Sequence, residues 1–280
     1  MVVIQLRAVL IATLLLAVTA LSAAADNTVE ISDIGVENSL PNVTSEVSVD
    51  FPIGTDSPVR RAIIDFIYDQ FQDIYQGVEV ELPSNSCSEA DFKAYLDKFN
   101  KTLCRLTAED RKESFADSDG GESGEAAWYS NLYINKVADT DQYVSYTTYH
   151  VDFSGGAHEE RGTYAVTIRK SDGAVISSIF ADNVEEKMQP LLWKYLIASE
   201  NPDDPDEYRA EINRFLEANY GSSDYLHLPG ENAYLAPDGV YILYQPLEIC
   251  FWPGEPVIVI PVDEAKPYLS SEAVKLVSGD

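Results

Sequence analysis

Positive charge is scarce in this chain. Among 280 residues, 19 lysines and arginines face 47 aspartates and glutamates, for a formal net charge of −28. That balance excludes a nucleic-acid binder, because phosphate binding draws on cations that displace condensed counterions. It disfavours an anionic membrane surface on the same electrostatic ground. A basic protein partner stays open, since the field of such a chain accelerates the approach of a cation. Simple solubility is the alternative reading of the same charge. Cysteine is scarce as well: Cys87, Cys104 and Cys250 are too few for a disulfide framework. Cys87 and Cys104 are chemically able to pair in an exported protein, and Cys250 reads as a small core residue in an apolar strand pattern. There is no Cys-x-x-Cys, and the three histidines, His150, His158 and His227, have no metal-ligand spacing. Neither a metal nor a cofactor is expected. No Gly-x-Ser-x-Gly elbow and no phosphate-cradling glycine loop occurs. Carboxylates are too plentiful for any two to stand out as a glycosidase pair.

Long apolar runs are confined to the N-terminus. Arg7 precedes a run from Ala8 to Leu21 broken only by Thr13 and Thr19, and Ser22-Ala23-Ala24-Ala25 supplies the small side chains that a signal peptidase reads. Residues 1–25 are therefore expected to be an export signal, and the protein to be periplasmic or extracellular. A retained anchor is the alternative, because the uncharged run reaches the lower edge of a spanning helix. No cysteine follows the run, so a lipoprotein anchor is unsupported. With the signal removed, no stable membrane insertion is expected. Apolar content of 45% permits a packed core in the remainder. That remainder divides into a helical and strand portion, 26–125, and an α+β portion, 126–280, packed together as one unit.

Thr28 to Ile34 and Thr44 to Phe51 alternate like edge strands. Ser57 before Pro58 is a helix start, and Val59, Ile63, Phe66, Ile67, Phe71 and Ile74 follow at helical spacing up to Gly77. Ser88 with Asp91 three residues on predicts a capping box, followed by a stripe of Phe92, Tyr95, Leu96, Phe99, Leu103 and Leu106. The acidic run 117–125 reads as a solvated loop, without the ligand spacing of a calcium loop. Trp128 to Lys136 alternates. Gln142 to Phe153 alternates more strictly, with Tyr143, Ser145, Thr147, Tyr149, Val151 and Phe153 on one face and Val144, Tyr146, Thr148 and His150 on the other. Thr163 to Ile168, a turn at Asp172-Gly173, and Ala174 to Ile179 read as a hairpin. Helices are expected over Val184–Ser199 and Asp206–Asn219. Short strands are expected over Ala233–Leu235, Val240–Tyr244 and Pro256–Ile260, then a closing helix over Asp263–Leu269. The irregular order of helices and strands predicts an α+β fold, with a mainly antiparallel sheet packed against several helices.

Two stretches are candidates for function. Gly155 and Gly156 end the long strand and deliver His158, a side chain that serves as acid, base or ligand near neutral pH; a turn histidine bonded to backbone is the plainer reading. Tyr149 lies on the same strand. The second stretch, from Tyr244 through Glu248 to Phe251 and Trp252, concentrates aromatics around prolines and a glycine, as rigid contact loops do. A lid over the core would look the same. Tyr149, Gly155, Gly156, His158, Tyr244, Glu248, Phe251 and Trp252 are thus the candidate ligand-binding residues. A hydrolase with His158 as acid or base and Glu248 as its partner is the alternative to a non-enzymatic binding module.

The run Tyr146 to His158, with its Phe153-Ser154-Gly155-Gly156-Ala157-His158 turn, and the following segment to Ile179-Phe180 resemble the extracytoplasmic domain of RsiV-type anti-sigma factors. A similar module accompanies the catalytic domain of PdaC-type peptidoglycan deacetylases. Tyr244-Gln245-Pro246-Leu247-Glu248-Ile249, Pro253-Gly254, Val257 to Pro261 and Lys266-Pro267-Tyr268-Leu269 resemble the same family's ending. The likeness covers roughly residues 130–270. It implies an α+β module outside the cytoplasm, and in the anti-sigma factors that module recognises lysozyme, a basic protein. The partners it points to are therefore a lysozyme-like basic protein or peptidoglycan fragments. Neither a sigma-binding segment nor a deacetylase domain is present, so neither activity carries over.

Overall fold

The computed structural model describes residues 27–116, 127–221, 224–229, 232–250 and 255–279. The expected export signal, the acidic loop 117–125, Phe251, Trp252 and Pro253-Gly254 lie outside the described residues. The fold is α+β, built among the described residues on two sheets and six helices.

The larger sheet has the order β1-β2-β3-β4-β5, from β1 (Ile31–Leu40), β2 (Val43–Pro52), β3 (Trp128–Asp139), β4 (Tyr143–Phe153) and β5 (Glu160–Arg169). Its pairings are antiparallel except β2 with β3, which is parallel. A parallel neighbour requires a crossover, and α1 (Pro58–Ile74) and α2 (Glu89–Ala116) supply it. β2 is consequently an inner strand, contrary to the expectation of an edge. Its alternation has its source in one buried face, since Val43, Ser45, Val47, Val49 and Phe51 are all buried.

Both crossover helices start where their caps place them. The Ser57 side chain accepts from the Arg60 amide, with Pro58 at the first helical position. Ser88 and Asp91 close a reciprocal box, Asp91 N–H to Ser88 Oγ at 3.2 Å and Ser88 N–H to Asp91 Oδ2 at 3.2 Å. The apolar stripes of the two helices meet the even-numbered face of β3, β4 and β5 in a core rich in aromatic rings. Phe51 stacks on Phe92 at 4.2 Å, and Phe71 meets Phe99 edge-on at 4.7 Å.

The second layer holds α3 (Glu185–Glu200), α4 (Pro205–Tyr220), a small antiparallel sheet of β6 (Ala233–Ala236), β7 (Gly239–Leu243) and β8 (Val257–Ile260), and the C-terminal turns. It buries its own cluster around Leu192, Leu196, Leu235, Ile242 and Ile258. Two hydroxyls, themselves in contact, join it to the odd-numbered face of the large sheet. Ser145 Oγ donates to the Leu235 carbonyl at 2.7 Å, Leu235 N–H donates to Thr167 Oγ1 at 3.0 Å, and the two hydroxyls lie 3.0 Å apart.

Two further expectations need correction. Ala174 to Ile179 is not a strand: the hairpin closes through Arg169 N–H to Ala174 O and Ile176 N–H to Thr167 O, leaving one isolated bridge, Ile168 with Val175. The chain then leaves the sheet because Ile176, Ile179 and Phe180 are drawn into the second core. The closing helix is only α5 (Val262–Ala265) followed by a 3₁₀ turn, Lys266–Tyr268. Pro267 has no N–H with which to carry an α-helix on. A further helix, α6 (Ser271–Ser278), was not foreseen, although Ser270 caps its start and Gly279 adopts the left-handed conformation at its end.

Candidate functional site

Alternation in β3 and β4 sends their even residues to the helices and leaves their odd residues on the opposite face. Beyond the reach of the small sheet, that odd face presents four half-buried rings. Tyr129 stacks with Phe153 at 5.7 Å, and Tyr133 stacks with Tyr149 at 6.3 Å. Register makes these pairs, because Tyr129 lies directly opposite Phe153 and Tyr133 opposite Tyr149. Both ends of the strip are polar. Tyr133 Oη donates to Glu46 Oε2 at 2.9 Å; burial first, and then this carboxylate, push its phenol up to about 12. Tyr129 Oη bonds to Glu159, whose other oxygen takes Arg161 Nε at 2.8 Å. Burial raises the Tyr149 phenol, and the nearby Glu255 carboxylate adds to the shift.

The glycine turn closes one end of the strip. Gly155 has φ +86, and a Cβ there would lie 3.2 Å from the Trp128 indole nitrogen, so a side chain is opposed by both the backbone conformation and Trp128. Gly156 follows at φ +108. His158 is exposed, and with Ala127, Tyr129, Phe153, Glu159 and Arg161 it lines an open depression of about 470 Å³.

Tyr244 and Glu248 belong to a neighbouring network. Tyr244 is fully buried and its Oη donates to the His227 carbonyl at 2.9 Å. Glu248 Oε1 meets His227 Nε2 at 2.7 Å, and Glu248 Oε2 accepts the Gln245 amide at 2.6 Å. The His227 ring packs edge-on between Tyr220 at 5.6 Å and Tyr244 at 6.0 Å. Gln245 then clips the loop to β5: its Oε1 takes the Thr163 amide at 3.0 Å, and its Nε2 reaches the Thr163 carbonyl. Thr163 Oγ1 donates to Glu255 Oε2 at 3.0 Å. Burial raises the Glu255 carboxyl against the pull of that hydroxyl and of Arg161. A chain of polar contacts and fields therefore links His227 and Glu248 to the strip beside Tyr149.

The sequence-derived candidates sort accordingly. Tyr149, Gly155, Gly156 and His158 gather along the strip and its glycine turn. Glu248 and Tyr244 support the loop behind Gln245. Among the described residues no hydrogen bond or ion pair joins His158 to Glu248, whose partners are His227 and Gln245. Sequence reasoning missed Tyr129, Tyr133, Phe153 and Arg161 as site residues. The signal was present in the odd positions of 128–136, where tyrosine alternates with asparagine. The three cysteines are buried, and Cys87 and Cys104 form no disulfide with each other. Among the described residues no group of three His, Cys, Asp or Glu side chains is placed to hold a metal ion, and no helix is long and apolar enough to cross a membrane.

No protein-family model matches this sequence, and no curated protein matches it. Solved structures do match in three dimensions. A DUF3298 family member from Bacteroides fragilis NCTC 9343 (BF2082) superposes with a TM-score of 0.63 at 18% identity, covering 90% of this chain and 98% of its own. A DUF3298 family protein from Pseudomonas aeruginosa PAO1 (PA4972) gives a TM-score of 0.51 at 15% identity, with coverage of 88% and 96%. At these identities the likeness is one of fold: this chain has the fold of DUF3298 family proteins over nearly their whole length.

Proposed function

We propose that this is an exported protein of the bacterial envelope that works by surface recognition. The observation that carries the reading is the strip of Tyr129, Phe153, Tyr133 and Tyr149, four half-buried rings on a rigid sheet with a carboxylate bonded at each end. Aromatic faces held by register lose little entropy on contact and suit either a sugar ring or a protein surface. The resemblance to the extracytoplasmic module of RsiV-type anti-sigma factors and PdaC-type deacetylases supports the same reading. The ligand class is a basic protein such as lysozyme, or a peptidoglycan fragment. The net charge of −28 favours the former by steering.

Calorimetric titration with lysozyme and with muropeptides tests this. Saturable binding is expected for one of them, at or below tens of micromolar, or about 7 kcal/mol. Paired Tyr133→Ala and Tyr149→Ala substitutions should weaken it by roughly tenfold or more, as loss of a central aromatic anchor does. Absence of binding to both ligands removes the reading.

A further inference from the structure

On the other side of β5, facing α1, lies a larger cleft of about 890 Å³. It is bounded by α1, by β5 at Tyr164 to Val166, by the segment 173–185, and by Leu228, Pro229, Asn232 and Ala233. Four observations made there are independent of the aromatic strip.

The first is charge. Asp65, Asp69 and Asp73 stand one helical turn apart along the wall made by α1, and Glu185 lines the same cleft. None of the four is in an ion pair among the described residues, and no lysine, arginine or histidine lines the cavity. Burial raises the Asp69 carboxyl, and its two aspartate neighbours raise it further, so the row is short of a cation.

The second is Gln70, on the same helix and lining the same cleft. It is only 8% exposed, and its Oε1 has no hydrogen-bond partner. A buried amide oxygen left unpaired costs free energy that a ligand donor would recover.

The third is an open position on a sheet edge. β5 is the last strand of its sheet. Thr163 bonds outward to Gln245, and Thr167 and Arg169 bond outward to Ile176 and Ala174. In an antiparallel pair, alternate residues turn both backbone groups the same way. Ala165 therefore also points its N–H and C=O outward, on the cleft it lines, and neither group makes a hydrogen bond among the described residues.

The fourth is spacing. Helix positions four apart rise about 6 Å, and alternate residues of an extended chain repeat at about 6.6 Å. The row of aspartates thus matches every second side chain of a strand laid alongside β5. Phe66, Tyr164 and Val175 supply apolar wall between the charges, and Tyr164 and Val175 are well exposed, at 40% and 51%.

We infer that this cleft binds an extended polypeptide segment with lysine or arginine at alternate positions, running parallel to β5, so that the two cationic residues flanking the position opposite Ala165 bond its N–H and C=O and turn their side chains to α1 and Asp65, Asp69 and Asp73. This is β-strand addition with an electrostatic register, and it stands whether or not the aromatic strip binds lysozyme or glycan.

The test uses fluorescence anisotropy at low salt with the full chain and a labelled peptide, Gly-Lys-Val-Lys-Val-Lys-Gly. Saturable binding is expected, weakening as salt screens the pairs. The triple variant D65N/D69N/D73N should lose at least about tenfold in affinity. A peptide of the same composition with its three lysines contiguous should bind more weakly. So should one N-methylated at its central lysine, which cannot donate to the Ala165 carbonyl; that probe needs no change in the protein. Equal affinity of the wild type and the triple variant, indifference to lysine spacing, or no saturation by the alternating peptide overturns the inference. Lysozyme binding that survives in the triple variant would leave the strip's role intact while removing the aspartates from it.

Discussion

At the scale of single residues, a tightly constrained contact lies where β4 and β5 meet. His150 sits opposite Gly162, and a Cβ built on Gly162 would come within 2.2 Å of the imidazole Cε1. The ring lies where a side chain would go and stacks on Tyr164 at 6.1 Å. Gly162→Ala should therefore destabilise the protein by about 1–3 kcal/mol, the usual cost of overpacking. Pairing it with His150→Ala should recover part of that loss; urea denaturation of the single and double variants reads both effects. Burial also pulls the His150 pKa down, against Asp152 and Glu160, whose charges raise it. Its folded pKa lies below the unfolded value, so its contribution to stability is complete above the unfolded pKa of about 6.5 and is lost as pH falls through the folded one. Burial raises the neighbouring Asp152 carboxyl, and Ser130 and Tyr75 hydrogen bonds oppose the shift. That group works in the other direction, its burden easing on acidification. Comparing wild type with His150→Gln isolates the histidine: the fall in Tm between about pH 7.5 and 5.5 should be smaller in the variant.

At the scale of elements, the starts of α1 and α2 were legible and the fate of the last hairpin strand was not. Ser57 and Ser88 each act on an amide three residues on, so the signal for a cap is complete in a few letters; Ser270 acts in the same way at a helix that was not foreseen. Ser88→Ala removes one side of a reciprocal box and should cost about 1 kcal/mol, measured as a shift in the chemical-denaturation midpoint. Residues 174–179 show the opposite case. The Asp172-Gly173 turn forms, with Asp172 bonded to Arg169, yet no second strand follows. Ile176, Ile179 and Phe180 pack into a core whose other walls come from α3, α4 and α6, and nothing within the hairpin sequence announces that pull.

At the scale of the whole molecule, the boundary between 125 and 126 separates portions that share one sheet. β2 lies before it and β3 after it, paired from Val43–Trp128 to Val49–Ile134. The core beneath joins Ile63, Ile67, Phe92 and Phe99 from the first portion to Leu132, Val144, Tyr146 and Ile168 from the second. We propose that 26–125 and 126–280 fold only together. Expressed alone, 126–280 should show no cooperative thermal transition and should bind a hydrophobic dye, because β3 would lose its parallel neighbour and the sheet its helical cover. A sharp transition for the isolated fragment would contradict this.

The order of residues alone determined the α+β class, the helix caps, the alternation of β3 and β4, and the acidity. All of these are local or additive properties. It also marked the double glycine, because a left-handed turn admits few other residues. Tertiary structure decided which strand ends a sheet, which rings stack, and which side chain Glu248 meets. Glu248 bonds to His227, 21 residues away, where the sequence offered His158 as its partner. Tyr129 becomes part of a strip only because β4 returns in one register to set Phe153 beside it. The open edge at Ala165 exists because Gln245 occupies the edge at Thr163 and Ile176 occupies it at Thr167. Each of these outcomes depends on hydrogen bonds and packing between distant segments, so it is settled only when the whole chain is folded.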